Sequence, residues 1–216
     1  MRSSKDLKKI NCAVSNRATR LRRLFQSARG IPLGAPDRRL SYIAIELDNL
    51  ILAALRHFVI SSLTGAKTTE GRRVRSVPAF RDEGEVAAYV MSILSPVSFA
   101  NMGSPVRIGR KDEFKIRDPR LVERVMASCS ASNLVSVQAA YAYSTSVFSD
   151  LPVIRNFYAH RNDDTWRKVR NRAPGMGVFG ARSVDDVLRA RLPQRPVAVL
   201  EDWLDDVELF FFELTR

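Results

Sequence analysis

The clearest hydrophobic pattern lies between residues 38 and 63, where apolar side chains recur about every 3.6 positions. This spacing predicts one long helix with a broad apolar stripe. The stripe consists of Leu40, Ile43, Ala44, Leu47, Leu50, Ile51, Leu55, Phe58 and Val59. Because Glu46, Asp48 and Arg56 interrupt the apolar residues, the segment is too polar to cross a bilayer. We expect it to be the central helix of a buried core.

The preceding segment, residues 5–28, has the same helical period but is strongly basic. The first 30 residues contain nine lysines and arginines against a single acid, Asp6. Glycines and prolines at 30–36 then break the helix. This helix either packs on the core or extends as a basic arm. We therefore treat residues 1–30 as one region and residues 31–216 as a helical domain.

The rest of the pattern predicts more helices separated by polar loops. Their expected ranges are about 82–94, 119–129, 133–148, 150–169 and 197–214. Two segments are typical helix starts: Asp118-Pro119 and the Asp-Leu-Pro sequence at 150–152. Aspartate caps the first turn of a helix, and proline fits in that turn because its missing N–H would have no partner there. A basic loop at 64–80 and a loop-rich insertion at about 96–118 interrupt the helices. Together these elements predict an all-α fold, a helical bundle.

Charge changes this picture because it is large and unevenly distributed. The net charge is +12, whereas residues 201–213 contain six acids and no base, and we expect those acids to face outward. A basic surface attracts phosphate backbones or acidic partners, and the asymmetry also permits head-to-tail pairing between chains. Cys12 and Cys129 lack metal-site spacing and no signal peptide is apparent, so we expect a cytoplasmic protein without metal or cofactor.

The sequence RNFYAH at 155–160 contains the groups that cleave RNA without a metal. Arg155 is a permanently charged, planar donor that binds phosphate oxygens, and His160 exchanges protons near neutral pH. We expect His160 to act as general acid or base while the ribose 2′-hydroxyl attacks the adjacent phosphorus. Arg155 would stabilise the charge that develops on the phosphate. Asn156 would hold the imidazole tautomer or donate to phosphate.

Helix geometry restricts how these two groups can meet. Five helical positions rotate a side chain by about 140° beyond a full turn, so Arg155 and His160 do not share one face of a regular helix. A second copy of the motif across a two-fold axis would place each His160 near the facing Arg155. The length of the arginine side chain and a distorted first turn would narrow the gap within one chain, but the two-fold arrangement is simpler. We therefore expect a homodimer with a composite site.

The Arg155-Asn156-x-x-x-His160 spacing, near the start of a late helix, resembles the R-x4–6-H motif of the HEPN superfamily (higher eukaryotes and prokaryotes nucleotide-binding). The resemblance covers about residues 38–172. It implies a HEPN-like helical bundle, dimerisation around the motif, and metal-independent endonuclease cleavage of RNA that leaves a cyclic phosphate. It also implies a toxin or phage-defence effector, a hydrolase restrained by an antitoxin or another regulatory protein. An acid on an earlier helix often supports the family's site; here the candidate is Glu46, with Asp48 behind it.

Other side chains near the motif are candidates for RNA binding. Basic residues would follow the phosphate backbone, and Tyr158 would stack on a base. The candidates are Arg161, Arg167, Lys168, Arg170 and Tyr158. Two alternatives remain open: a non-catalytic HEPN-like module that binds RNA, a nucleotide or a protein, and a structural helical adaptor.

Overall fold

The structure is a computed structural model that describes residues 3–28, 36–101, 114–143, 145–193 and 195–216. The described chain is mostly helical, which confirms the all-α fold class. Its α-helices are α1 (Lys8–Ser27), α2 (Arg38–Leu63), α3 (Glu83–Leu94), α4 (Pro96–Ala100), α5 (Pro119–Ser128), α6 (Leu134–Ala142), α7 (Val147–His160), α8 (Asp163–Arg172), α9 (Val184–Arg189) and α10 (Val199–Leu214). A 3₁₀ turn (Ala173–Met176) follows α8, and a short antiparallel pair, β1 (Arg191–Leu192) and β2 (Arg195–Ala198), precedes α10.

The chain divides into two compact units that alternate along the sequence. One, the flanking unit, comprises Met1–Ala13, Leu52–Tyr143 and Phe210–Arg216. The other, the motif unit, comprises Val14–Ile51 and Ser144–Leu209 and contains every candidate site residue named from the sequence. Helices α1, α2 and α10 each contribute residues to both units.

Within the motif unit, the core forms along the helix faces that the periodicity predicts. The buried residues of α1 in this unit are Val14, Ala18, Leu21 and Phe25, and those of α2 are Leu40, Ile43, Ala44, Leu47, Asp48 and Ile51. The basic first helix is therefore packed, and it is not a free arm. Its Arg22 guanidinium lies 2.6 Å from both Asp205 and Glu208 of α10, so basic and acidic helices pair within one chain.

Several helix boundaries differ from those predicted. The helix predicted over 133–148 stops at Ala142, and α7 begins at Val147, whose amide donates to Thr145 Oγ1 at 3.2 Å. The short helix α4 occupies the start of the predicted loop-rich insertion; residues 102–113 of that insertion lie outside the described chain. Not every acid of α10 faces outward, because Glu201 is buried and its carboxylate accepts from the amide of Ala198.

The most consequential correction is a break inside the segment predicted as one helix over 150–169. Helix α7 begins earlier, at Val147, so that Pro152 lies inside it, and it ends at His160. Arg161 follows in the left-handed conformation with φ of 48°, which an L-residue rarely adopts. Asn162 then caps α8 by accepting from the amide of Thr165, whose hydroxyl accepts from the Asn162 amide in return.

No helix in the described parts of the chain combines the length and the apolar composition needed to span a membrane.

Candidate functional site

Arg155 contacts a buried acid on the central helix. Its Nε atom lies 3.7 Å from Oδ2 of Asp48, whose side chain is only 4% exposed, whereas the Arg155 side chain is 34% exposed. This separation is an ion pair and is longer than a hydrogen bond. Among the described residues, the buried Nε atom of Arg155 has no hydrogen-bond acceptor. Asp48 therefore holds the guanidinium electrostatically, while about a third of the Arg155 side chain is exposed to solvent.

Glu46, the acid that the sequence favoured, points elsewhere. Its carboxylate forms an ion pair with Arg17 of α1, whose guanidinium also approaches the hydroxyl of Tyr42. The hydrogen bond that Arg17 donates to Glu46 raises the pKa of Arg17 above its ordinary value. Glu46 thus links α1 to α2 inside the motif unit, and the structure brings Asp48 rather than Glu46 to Arg155.

His160 is the last residue of α7 and is exposed. Along a regular helix it lies about 7.5 Å farther than Arg155 and about 140° around the axis. Asn156 is half-buried and follows Arg155 directly. One copy of the chain therefore presents the arginine and the histidine on different sides of one helix.

The candidate RNA-binding residues fall into two groups. The exposed residues are Arg161, Arg167, Lys168 and Arg170. Tyr158 is instead buried, and its hydroxyl donates to Oδ1 of Asp185 at 2.5 Å. Burial and the adjacent Asp185 charge raise the pKa of Tyr158, which keeps the hydroxyl protonated as a donor. Tyr158 occupies a position in the core rather than an open stacking platform.

An ionic contact between α7 and α8 fastens the segment around the motif. At the start of α7, the carboxylate of buried Asp150 accepts a 2.5 Å hydrogen bond from Nε of Arg172 at the end of α8. This contact closes the helical hairpin formed by α7 and α8. The two helices on which the candidate residues lie are therefore held together at the end opposite His160.

A second network, which the sequence did not indicate, lies behind Tyr158. Oδ2 of Asp185 accepts from the amide of Asp37 at 2.6 Å, and the Asp37 carboxylate accepts from Arg39 and lies near Arg189. Burial raises the pKa of Asp37, but the hydrogen bonds from Arg39 and the charges of Arg39 and Arg189 outweigh burial and lower it. This network joins the starts of α2 and α9 to the end of α7.

A pocket of about 360 Å³ opens in front of this network. Its aromatic lining includes Phe157 and Trp166, whose ring centroids lie 6.2 Å apart. The sequence did contain a signal for the turn that forms this pocket. Asn162 followed by Asp163 and Asp164 is typical of a capped helix start, because acids favour the first turn.

The chain matches no protein-family model, no curated protein and no solved structure. The HEPN resemblance therefore depends on the motif, on its position in a helical fold and on the acid that supports its arginine.

Proposed function

We propose that this protein is a metal-independent endoribonuclease of the HEPN type that acts in the cytoplasm as a toxin or phage-defence effector. The observation that carries the proposal is the ion pair between Arg155 and the buried Asp48. An acid on an earlier helix that supports the motif arginine is what the resemblance implies, and Asp48 occupies that role. The Arg155 side chain is 34% exposed, and in this proposal its guanidinium binds a phosphate from the exposed side.

The chemistry follows from these side chains. The ribose 2′-oxygen attacks the adjacent phosphorus, its bond to phosphorus forms, and the bond from phosphorus to the 5′-oxygen breaks. His160 takes the proton of the 2′-hydroxyl or delivers one to the leaving 5′-oxygen, which general acid–base catalysis accelerates by roughly 10²–10⁴-fold. Arg155 binds the non-bridging oxygens, on which negative charge develops. The products are a 2′,3′-cyclic phosphate and a 5′-hydroxyl, and DNA is excluded because it lacks the nucleophile.

The proposed active unit is a homodimer, since one helix separates the two groups by about 140°. RNA is the substrate, and an antitoxin or another regulatory protein is the partner that restrains the activity. The exposed basic residues that begin at Arg161 would follow the RNA backbone beyond the cleavage site.

The decisive experiment incubates the chain with total RNA in EDTA, beside Arg155→Ala and His160→Ala. The proposal expects cleavage that survives chelation, yields cyclic phosphate ends and is lost in both variants. Equal RNA binding by all three chains without cleavage would refute the enzyme and favour the non-catalytic binding module.

Mixing the two inactive variants tests the composite site. In a two-fold dimer whose sites each combine Arg155 of one chain with His160 of the other, a mixed dimer has one intact site of two. Random exchange makes half of the dimers mixed, so about a quarter of the wild-type activity should return. If activity stays absent although mass spectrometry shows mixed dimers, the composite arrangement is wrong.

A further inference from the structure

The pocket beside the α7–α8 break has a wall suited to a flat aromatic ligand. Phe157 and Trp166 meet at an interplanar angle of 61°, and both rings are half-buried, so part of the pair is accessible to a ligand. The volume of about 360 Å³ lies within the range of small-molecule sites. Aromatic rings of this kind stack on nucleobases regardless of sequence.

The buried carboxylate of Asp185 lines the same pocket and selects for hydrogen-bond donors. An ionised carboxylate offers about four acceptor positions on its two oxygens. Tyr158 occupies one position on Oδ1, and the amide of Asp37 occupies one on Oδ2. Each oxygen therefore retains the capacity to accept one more hydrogen bond, and two adjacent donors would satisfy both.

The rim of the pocket is positively charged. It is lined by one exposed acid, Asp163, and by three exposed arginines, Arg38, Arg161 and Arg182. With the residues that the structure describes, their side chains form no hydrogen bond or ion pair, in contrast to the paired Arg39 and Arg172. A guanidinium without such a partner is a planar donor suited to binding a phosphate or a carboxylate.

We propose that this pocket binds a guanine nucleotide. The N1–H and N2–H groups of guanine are adjacent donors that match the two oxygens of Asp185, the base stacks on Trp166, and the phosphate contacts the rim arginines. Adenine fits less well because its N1 acceptor would face the carboxylate. Binding at this site requires neither Arg155 nor His160. The inference rests on the proposed ribonuclease function only if the guanine belongs to an RNA strand. In that case guanine bound beside Arg161, the residue after His160, would select the position of cleavage.

Tryptophan fluorescence tests the pocket directly. The chain has two tryptophans, and Trp203 is only 2% exposed, so a stacking ligand quenches Trp166. Titration of the full chain with 5′-GMP and 5′-AMP should give at least tenfold tighter binding of GMP. Binding of an RNA decamer with one guanine among uridines is measured in the His160→Ala chain, where cleavage does not consume the strand. If the decamer binds more tightly than GMP, the ligand of the pocket is a guanine within RNA. If the two bind equally, the ligand is a free guanine nucleotide.

Two variants and a matched control complete the test. By calorimetry, Trp166→Leu should weaken GMP binding about tenfold, and Arg38→Ala with Arg182→Ala should weaken it at least as much. Arg20→Ala with Arg23→Ala removes the same charge from exposed positions on α1 and should leave binding unchanged. Circular dichroism melting checks that each variant is folded.

The outcomes separate this proposal from the ribonuclease proposal. Three results would overturn the guanine-binding proposal, even if RNA is cleaved. They are equal binding of GMP and AMP, unchanged GMP binding in folded Trp166→Leu, and no binding of either GMP or the decamer at 1 mM. GMP binding without any RNA cleavage supports the pocket and refutes the nuclease.

Discussion

Replacing Asp48 with asparagine should impair both stability and RNA cleavage. The substitution preserves the shape of a side chain that is only 4% exposed but removes the charge that faces Nε of Arg155 at 3.7 Å. Arg155 then keeps its positive charge in a partly buried position without its anion. The guanidinium is free to turn toward solvent, away from the position in which it would contact phosphate.

The distance sets the size of the effect. Unit charges about 4 Å apart interact by about 4 kcal/mol at an effective dielectric constant of about 20. Because Arg155 is 34% exposed, solvent screens the pair, and the desolvation of Asp48 offsets part of the attraction. We expect the free energy of unfolding to fall by about 1–2 kcal/mol. A displacement of the arginine by about 1 Å would reduce cleavage by about 10²-fold.

Glu46→Gln is the matched control, since it neutralises an acid on the same helix that pairs with Arg17. That pair is partly exposed at both ends, so its loss should cost about 0–1 kcal/mol and leave cleavage within about twofold. Urea unfolding measures stability, and initial rates on labelled RNA measure cleavage. If Glu46→Gln abolishes cleavage while Asp48→Asn does not, Asp48 is not the supporting acid.

Three further predictions concern the motif unit. Tyr158→Phe removes the donor to buried Asp185 and should lower the free energy of urea unfolding by about 1.5–3 kcal/mol; a loss under about 0.5 kcal/mol would contradict the network. Burial, reinforced by nearby acids, raises the pKa of Asp206, so its ionisation destabilises the folded chain as pH rises from the unfolded pKa through the folded pKa. Asp206→Asn should therefore raise Tm at pH 7 and leave it nearly unchanged below about pH 3, and an equal shift at both would be inconsistent with this linkage. Gly177→Ala, at φ of 77° with a Cβ 3.3 Å from a proline ring, should cost about 1–2 kcal/mol in thermal unfolding, whereas Gly175→Ala should be nearly neutral.

Helices with strong local signals were predictable from the sequence. The stripe of α2 runs from Leu40 to Val59, about five helical turns, and α5 begins at Pro119 after the Asp118 cap. The hairpin before α10 was not predictable, because its strands are two and four residues long and give no alternating pattern. The end of α6 was missed because apolar residues continue from α6 into α7 without a Gly or Pro between them.

The site was predictable only in part. Arg155 and His160 are identifiable by residue type and spacing, but the choice between Glu46 and Asp48 depends on tertiary packing. These acids are two positions apart, which places them about 200° apart around α2. The packing of α1 decides which acid faces α7, because Arg17 of α1 forms an ion pair with Glu46. No local pattern in either segment contains that information.

The left-handed conformation of Arg161 links the candidate catalytic residue to the pocket. Phe157 and Trp166 are nine positions apart, so an unbroken helix would separate them by about 13.5 Å along its axis. Their ring centroids lie 6.2 Å apart because α7 stops at His160 and α8 turns back from Asn162. The same turn makes His160 the exposed last residue of its helix and brings the two aromatic rings of the pocket together. Under the two proposals, proton transfer at His160 and base selection beside Arg161 would take place at neighbouring residues, which a continuous helix through 150–169 would not allow.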